Sequence, residues 1–397
     1  RDALAMRLNR SYSWVEKIER GVRPVDSVKV VLELAETLGV PADVLLRKPL
    51  GPPPSGPKMD DPQGVMLRLR QALLHYNGIS DSAPASQTPA RPVAELNHGL
   101  HLAWATYVTD THTLSAVVWL LPPLIEEARA AVEQADDDAG RRAAWRLMAG
   151  LYRLAAWEMR HYGDDALAWI SAHRAIDAAE RADDPLSIAA GARAMQQVLL
   201  GQGHLEETIA VADGVGRLID PLTAPAAADD EAVPDAQWCV WGTMQLIAAL
   251  AAARGKDNEE AEHRWGLVEE AAEQFGRNAQ WESLWFGPAN VAIQRVATLV
   301  EMYEPKAALE VADRLPADPL PEINRRAYFR LHQGKAQFLR RQDDDALRLL
   351  VEAERVAPEI VRYEAMVPEI LRAMIRRRRT KVPNEVRALA TRLQVAS

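Results

Sequence analysis

Tryptophan is the side chain best suited in this sequence to meet a ligand. The chain holds 11 Trp against 4 Phe in 397 residues. Trp238 and Trp241 fall three apart and Trp281 and Trp285 four apart, so each pair shares a face if its segment is helical. Asn290, Gln294 and Arg295 continue the second segment. Aromatic walls with side-chain amides suit a peptide backbone or a planar molecule, which makes these residues a candidate ligand pocket. Helical cores use the same spacing, so packing is the competing explanation. Trp104, Tyr107, Trp145, Tyr152 and Trp157 form a second aromatic group.

Groups for catalysis are sparse, and no enzyme, cofactor or metal site is expected. Residues 51–58 (GPPPSGPK) superficially suggest a phosphate loop, but their prolines remove the amide donors such a loop needs. His98 and His101 are a lone i,i+3 pair, with no His-Glu-x-x-His motif and no Gly-x-Ser-x-Gly elbow. The run 376–379, four consecutive Arg followed by Lys381, points around a whole turn and fits a helix C-terminus as readily as a phosphate patch.

Composition bounds the setting. Hydrophobic residues make up 48% and charged residues 26%, ordinary for a soluble globular protein. No apolar run is expected to reach the roughly 18 residues of a membrane helix. The strongest, 114–125, is short and contains Pro122 and Pro123. A single cysteine, Cys239, excludes an internal disulfide framework and a cysteine zinc site. With no signal-like opening segment, a cytoplasmic protein without a membrane partner is expected. The net charge of −9 is uneven: residues 1–48 hold nine basic and seven acidic side chains, a small basic head on an acidic body.

The elements that must position these residues read as all-α. Residues 1–48 divide into short helical segments, and Arg1 falls inside a helical pattern, so a preceding helix is expected to be missing from the sequence. Residues 49–64 are a Pro/Gly-rich linker, 65–77 an amphipathic helix, and 78–92 a second loop, giving a connecting region over 49–92. From 93 to 397 helices pair as 94–108 with 112–134, 139–161 with 164–182, 184–201 with 204–219, 235–253 with 257–276, 283–301 with 304–315, 321–340 with 343–356, and 359–379 with 383–395. No strand is expected. The acidic Ala/Pro segment 221–236 interrupts this rhythm.

Residues 4–21 read LAMRLNRSYSWVEKIERG. Leu4, Ala5 and Leu8 give one helix its buried face, Asn9 tolerates a left-handed turn, and Ser11 can cap the next helix. Val15 and Ile18 bury that second helix, and Gly21 ends it. The stretch resembles the helix-turn-helix of XRE (Cro/cI-like) regulators, including the Glu19-Arg20-Gly21 close, and residues 27–46 resemble the two helices that complete that domain. The resemblance covers 1–48. It implies that the helix over 11–20 lies in the major groove, with Tyr12, Ser13, Glu16 and Lys17 outward as candidate base contacts. Lys17 suits guanine O6 or N7, and Glu16 suits cytosine N4. Arg1, Arg10, Arg20 and Arg23 are the candidate phosphate contacts, which fix register without reading sequence.

Gly334, Ala346, Ala353 and Pro358 stand at the small-residue offsets of a roughly 34-residue helical-hairpin repeat, as do Tyr152, Ala156, Gly163, Ala168 and Ala175. Gly203 and Gly255 fall at inter-helix turns. Residues 93–397 thus resemble tetratricopeptide repeats, which stack into a solenoid with a concave binding face. Together the two resemblances imply an actinobacterial-type transcriptional regulator. It would bind double-stranded DNA as a homodimer, its repeat domain dimerising or sensing a peptide or small-molecule effector on that face. The alternative is a repeat scaffold for a protein partner, tethered to DNA by its head.

Overall fold

The computed structural model describes residues 12–19, 37, 62–74, 90–110, 113–221, 232–315, 322–377 and 383–393. Among these the chain is almost entirely helical, with one two-stranded ribbon. Its contacts divide it into Arg1–Arg68 and Leu69–Ser397, a division that falls inside one helix.

In the first unit the clearest element is α1 (Tyr12–Glu19). Val15 is buried, Trp14 and Ile18 are half-buried, and Ser13 and Lys17 are exposed. The segments expected over 1–11, 20–36 and 38–61 lie outside the described residues, as does the loop 75–89. The connecting helix expected at 65–77 is α2 (Pro62–Leu74). Leu69 and Leu73 on its C-terminal part are fully buried in the second unit, where Arg70 also pairs with Asp164 at 2.5 Å.

The second unit packs consecutive helices side by side. They are α3 (Val93–Thr109), α4 (Thr113–Glu133), α5 (Asp138–His161), α6 (Asp165–Arg181), α7 (Pro185–Gln202), α8 (Leu205–Gly216), α9 (Ala232–Arg254) and α10 (Asn258–Phe275). After a ribbon, β1 (Ala279–Trp281) and β2 (Leu284–Phe286), come α11 (Pro288–Glu301), α12 (Pro305–Asp313), α13 (Ile323–Leu339), α14 (Asp343–Val356), α15 (Pro358–Tyr363), α16 (Met366–Arg377) and α17 (Asn384–Arg392).

One turn recurs between these helices. The amide two or three residues past a helix bonds the carbonyl five positions back: Asp164 to Met159 at 2.9 Å, His204 to Leu199 at 2.9 Å, Asp257 to Ala252 at 3.0 Å, Glu304 to Leu299 at 2.8 Å, and Gln342 to Gln337 at 3.0 Å. The residue between is left-handed, as the motif requires: Gly163, Gly203, Lys256, Tyr303 and Arg341. Asp164, Asp184 and Asp257 then cap the next helix through their carboxylates. Alanine lets the helices approach closely; Ala168, Ala172, Ala175 and Ala179 of α6 are all fully buried.

Several expectations need correction. Residues 283–301 are not one helix, and a strand pair is present. Ala279 pairs with Phe286 and Trp281 with Leu284 around a tight turn at Glu282, whose φ is 52°. Gly287, at φ 129°, and Pro288 delay α11, because a Cβ at Gly287 would meet the backbone of Arg277 and Asn278. Residues 359–379 likewise break into α15 and α16 at Glu364. Pro368 has no amide to offer the Glu364 carbonyl, so it is tolerated only in the first turn of a new helix.

The segment Pro234–Arg254 is long and apolar enough to cross a bilayer, contrary to expectation, but 94% of its apolar 18-residue window is buried inside the fold. A core helix surrounded by others is apolar all round for the same reason as a membrane helix.

The last helices return to the first. Asn324 Nδ2 donates to the Tyr107 carbonyl at 2.8 Å, and Glu359 accepts from the amides of Leu114 and Ser115 at 2.9 and 3.2 Å. Tyr162 and Tyr363 rings meet at 5.2 Å. The later helices therefore touch the earlier ones across the array. Near these contacts Glu158 is fully buried, and neither carboxylate oxygen has a hydrogen-bond partner. Burial, with the Glu359 charge, pushes its carboxyl well above 4.5. The native state then holds a proton that the unfolded chain releases, so this contribution to stability is lost as pH rises above about 4.5. Glu158→Gln is expected to raise Tm at pH 8 and to leave it nearly unchanged at pH 4, as thermal unfolding at both values would show.

Candidate functional site

Two places in the chain hold candidate chemistry, one in each unit. On α1, Ser13 and Lys17 lie one helical turn apart and both are exposed, while Val15 between them is buried at 3%. Tyr12 and Glu16 belong to the same helix. Arg1, Arg10, Arg20 and Arg23 lie outside the described residues. The polar groups of Ser13 and Lys17 are free to donate to an external acceptor such as a base edge or phosphate.

The residues expected to line a ligand pocket do not converge on one. Trp241 is buried and Trp238 partly buried in an aromatic core. Trp238 stacks on Phe286 at 5.9 Å and on Phe275 at 5.1 Å. Trp281 stands on the ribbon with the Arg153 guanidinium 4.9 Å from its ring. Trp285, on β2, packs against the core formed with α11 and α13. Asn290 is buried, donating to the Trp285 carbonyl at 2.6 Å and accepting from Arg325 at 3.1 Å. Arg295 pairs with Glu262 at 2.8 Å over the Trp265 ring. Gln294 is the one of this set that faces a cavity. In the run at 376–379, Arg377 bonds Asp343 at 2.9 Å and covers the Phe338 ring at 3.9 Å, a packing role. His98 and His101 are exposed on α3. Among the described residues no group of three metal-ligating side chains forms.

The cavity, about 430 Å³ and partly open to solvent, is lined by several of these helices. Trp157 and Arg160 reach it from α5, Arg193 and Gln197 from α7, Leu250 and Arg254 from α9, and Arg325, Tyr328, His332 and Lys335 from α13. Its polar walls are ordered by a chain of bonds. Trp157 Nε1 donates to the Tyr107 hydroxyl. His161 Nδ1 donates to the Trp157 carbonyl at 2.8 Å, so its Nε2 accepts from the Tyr328 hydroxyl at 3.1 Å. That tautomer is neutral, in keeping with a His161 pKa pushed down to about 3 by burial and by Arg160. Burial likewise brings His332 down to about 4, with Lys335 adding to the effect.

Most charges in the cavity are matched. Arg325 Nε lies 3.4 Å from Glu322, whose carboxyl burial raises to about 7 even against that cation. Glu301 lies 3.1 Å from Lys335 and 3.5 Å from Arg254. Burial alone would raise the Glu301 carboxyl, but the two cations hold it below its ordinary range. Arg193 stands apart. It is 4% exposed, its Nε has no acceptor, and its guanidinium lies 5.9 Å from the Trp157 ring. Burial, then the Arg325 and Arg160 charges, lower it to about 9, which leaves it cationic at neutral pH. The arrangement suits capture of an anion.

Sequence reasoning missed this cluster, although one signal was present. Every residue from 189 to 200 on α7 is buried and Arg193 is the one charged residue among them, so it needs a partner from elsewhere. The chain matches no protein-family model, no curated protein and no solved structure, so the chemistry of both places rests on these residues themselves.

Proposed function

We propose that this protein is a sequence-specific DNA-binding transcriptional regulator whose helical domain senses a small molecule. The observation that carries the reading is the helix α1. Within a segment resembling the XRE helix-turn-helix, it exposes Ser13 and Lys17 one turn apart and buries Val15 between them. A recognition helix needs that division, with one face held by the core and the other free for base edges. In this reading α1 enters the major groove, and a homodimer places two such helices about 34 Å apart on a pseudo-palindromic site.

The tetratricopeptide-like organisation of the second unit is part of the same proposal. Its recurring turns and alanine-lined helix contacts support a repeat origin. The polar cavity supports an internal effector site, so that a ligand favouring one arrangement of the helices shifts the population of DNA-competent dimers. A cytoplasmic location fits this role.

Selection of bound duplexes from a random pool by the full chain tests the reading. The expected result is one enriched motif, whose affinity falls steeply with salt because bound phosphates release counterions. Enrichment of no motif would overturn it.

A further inference from the structure

Three arginines among the described residues are buried as whole residues: Arg153, Arg193 and Arg264. Arg153 pairs with Glu282 at 2.6 Å, and Arg264 pairs with Glu260 at 2.6 Å and Asp213 at 2.9 Å. Arg193 has no such carboxylate. Its neighbours in the cavity are the like-charged Arg160 and Arg325 and the face of Trp157. Burying a guanidinium without a counter-charge is costly, and gathering others beside it adds repulsion. An anion from outside the chain removes both penalties at once.

We propose that the cavity binds a small monocarboxylate with a flat apolar body, its carboxylate held by Arg193 and Arg160 beside Trp157. The guanidinium fork matches a carboxylate's two oxygens, and burial strengthens the charge-assisted bonds. A single negative charge suits the site. Arg325 pairs with Glu322, Arg254 and Lys335 pair with Glu301, and Arg160 lies close enough to Glu364 to act on its charge, so Arg193 is the one cavity cation without a carboxylate of its own. A phosphate dianion would bring a second charge toward Glu322, Glu364 and Glu369, which also line the space. Leu200, Ile247, Leu250 and Ile293 supply the apolar wall for the body. A volume of about 430 Å³ falls in the range of ordinary small-molecule sites.

The proposal deepens the sensor reading and rests on it only for the consequence of binding; the binding itself is testable without DNA. Thermal unfolding of the full chain would be followed with benzoate and 1-naphthoate, with the matching uncharged amides, and with phenyl phosphate. The same series would be run on Arg193→Met. Without ligand, Arg193→Met is expected to raise Tm by about 2 °C or more, because it removes an unmatched buried charge. At least one carboxylate is expected to raise the Tm of the unsubstituted protein and its amide not to, with the rise absent in Arg193→Met.

A lower Tm for Arg193→Met would make this arginine a structural residue and overturn the proposal. So would amides acting as well as carboxylates, a carboxylate effect that survives Arg193→Met, or no carboxylate effect at all. A larger rise with phenyl phosphate would overturn the monocarboxylate assignment. Lys17 lies in the other unit, so absence of any motif enriched by the unsubstituted protein, with carboxylate binding intact, would overturn the regulator reading alone.

Discussion

Glu282→Ala is expected to cost about 3–5 kcal/mol of stability, the range for stranding one partner of a buried ion pair. Glu282 caps the tip of the ribbon, and its carboxylate meets Arg153 on α5 through two bonds of 2.6 and 2.9 Å. The side chains are only 8% and 11% exposed, so water does not take over when one is removed. The stranded Arg153 would remain beside the Trp281 ring, which compensates only in part. Urea unfolding of a double-mutant cycle measures the coupling. Glu282→Ala combined with Arg153→Met should be less destabilised than Glu282→Ala alone, because the second change removes the stranded charge. Additive effects would show that the pair does not anchor the ribbon.

The second large effect is at Gly242, in the middle of α9. Elsewhere in a helix interior, Gly→Ala stabilises by about 1 kcal/mol because glycine loses more backbone entropy on folding. Here a Cβ would overlap the Phe286 ring. That ring cannot move aside easily: it is fully buried, stacked on Trp238 and edge-on to Trp241 at 6.4 Å. Overpacking of this kind typically costs about 1–3 kcal/mol and outweighs the propensity gain. Gly242→Ala is therefore expected to lower the urea midpoint and to disturb the near-ultraviolet dichroism of the tryptophans. A stabilised variant with unchanged dichroism would mean that the ribbon docks on α9 less closely than described.

Both sites hold the ribbon, the element least legible in the sequence. The helices could be read because their ends are written locally. Asp164, Asp184 and Asp257 cap them, and Gly163 and Gly203 stop them. The ribbon is three residues per strand, and its Trp281 and Trp285 are four apart, a spacing that mimics a helical face. Only tertiary contacts decide between the two: Phe286 against Gly242, and Glu282 against Arg153. The break at Glu364 was legible from Pro368 but was masked by the apolar periodicity on either side.

The cavity was hidden for a different reason. Trp157 and Gln294 stand out as individual residues, but Arg160, Arg193 and Arg325 come from three helices far apart in sequence. They meet only because α13 to α15 return to α3, α4 and α5. A resemblance to open repeats gives no hint of these contacts, because Asn324, Glu359 and Tyr328 join later helices to earlier ones with side-chain bonds that no local pattern announces. On α1 the case is reversed. The alternation of buried Val15 with exposed Ser13 and Lys17 follows directly from helical periodicity and could be read at once.

The central claim is that α1 reads DNA sequence. Its most direct test is a pull-down of genomic fragments by the intact protein, alongside a Lys17→Ala and Arg20→Ala double variant. The account predicts a shared pseudo-palindromic site that is enriched by the unsubstituted protein and lost in the variant. No enriched site, or enrichment that the substitutions leave unchanged, would contradict it.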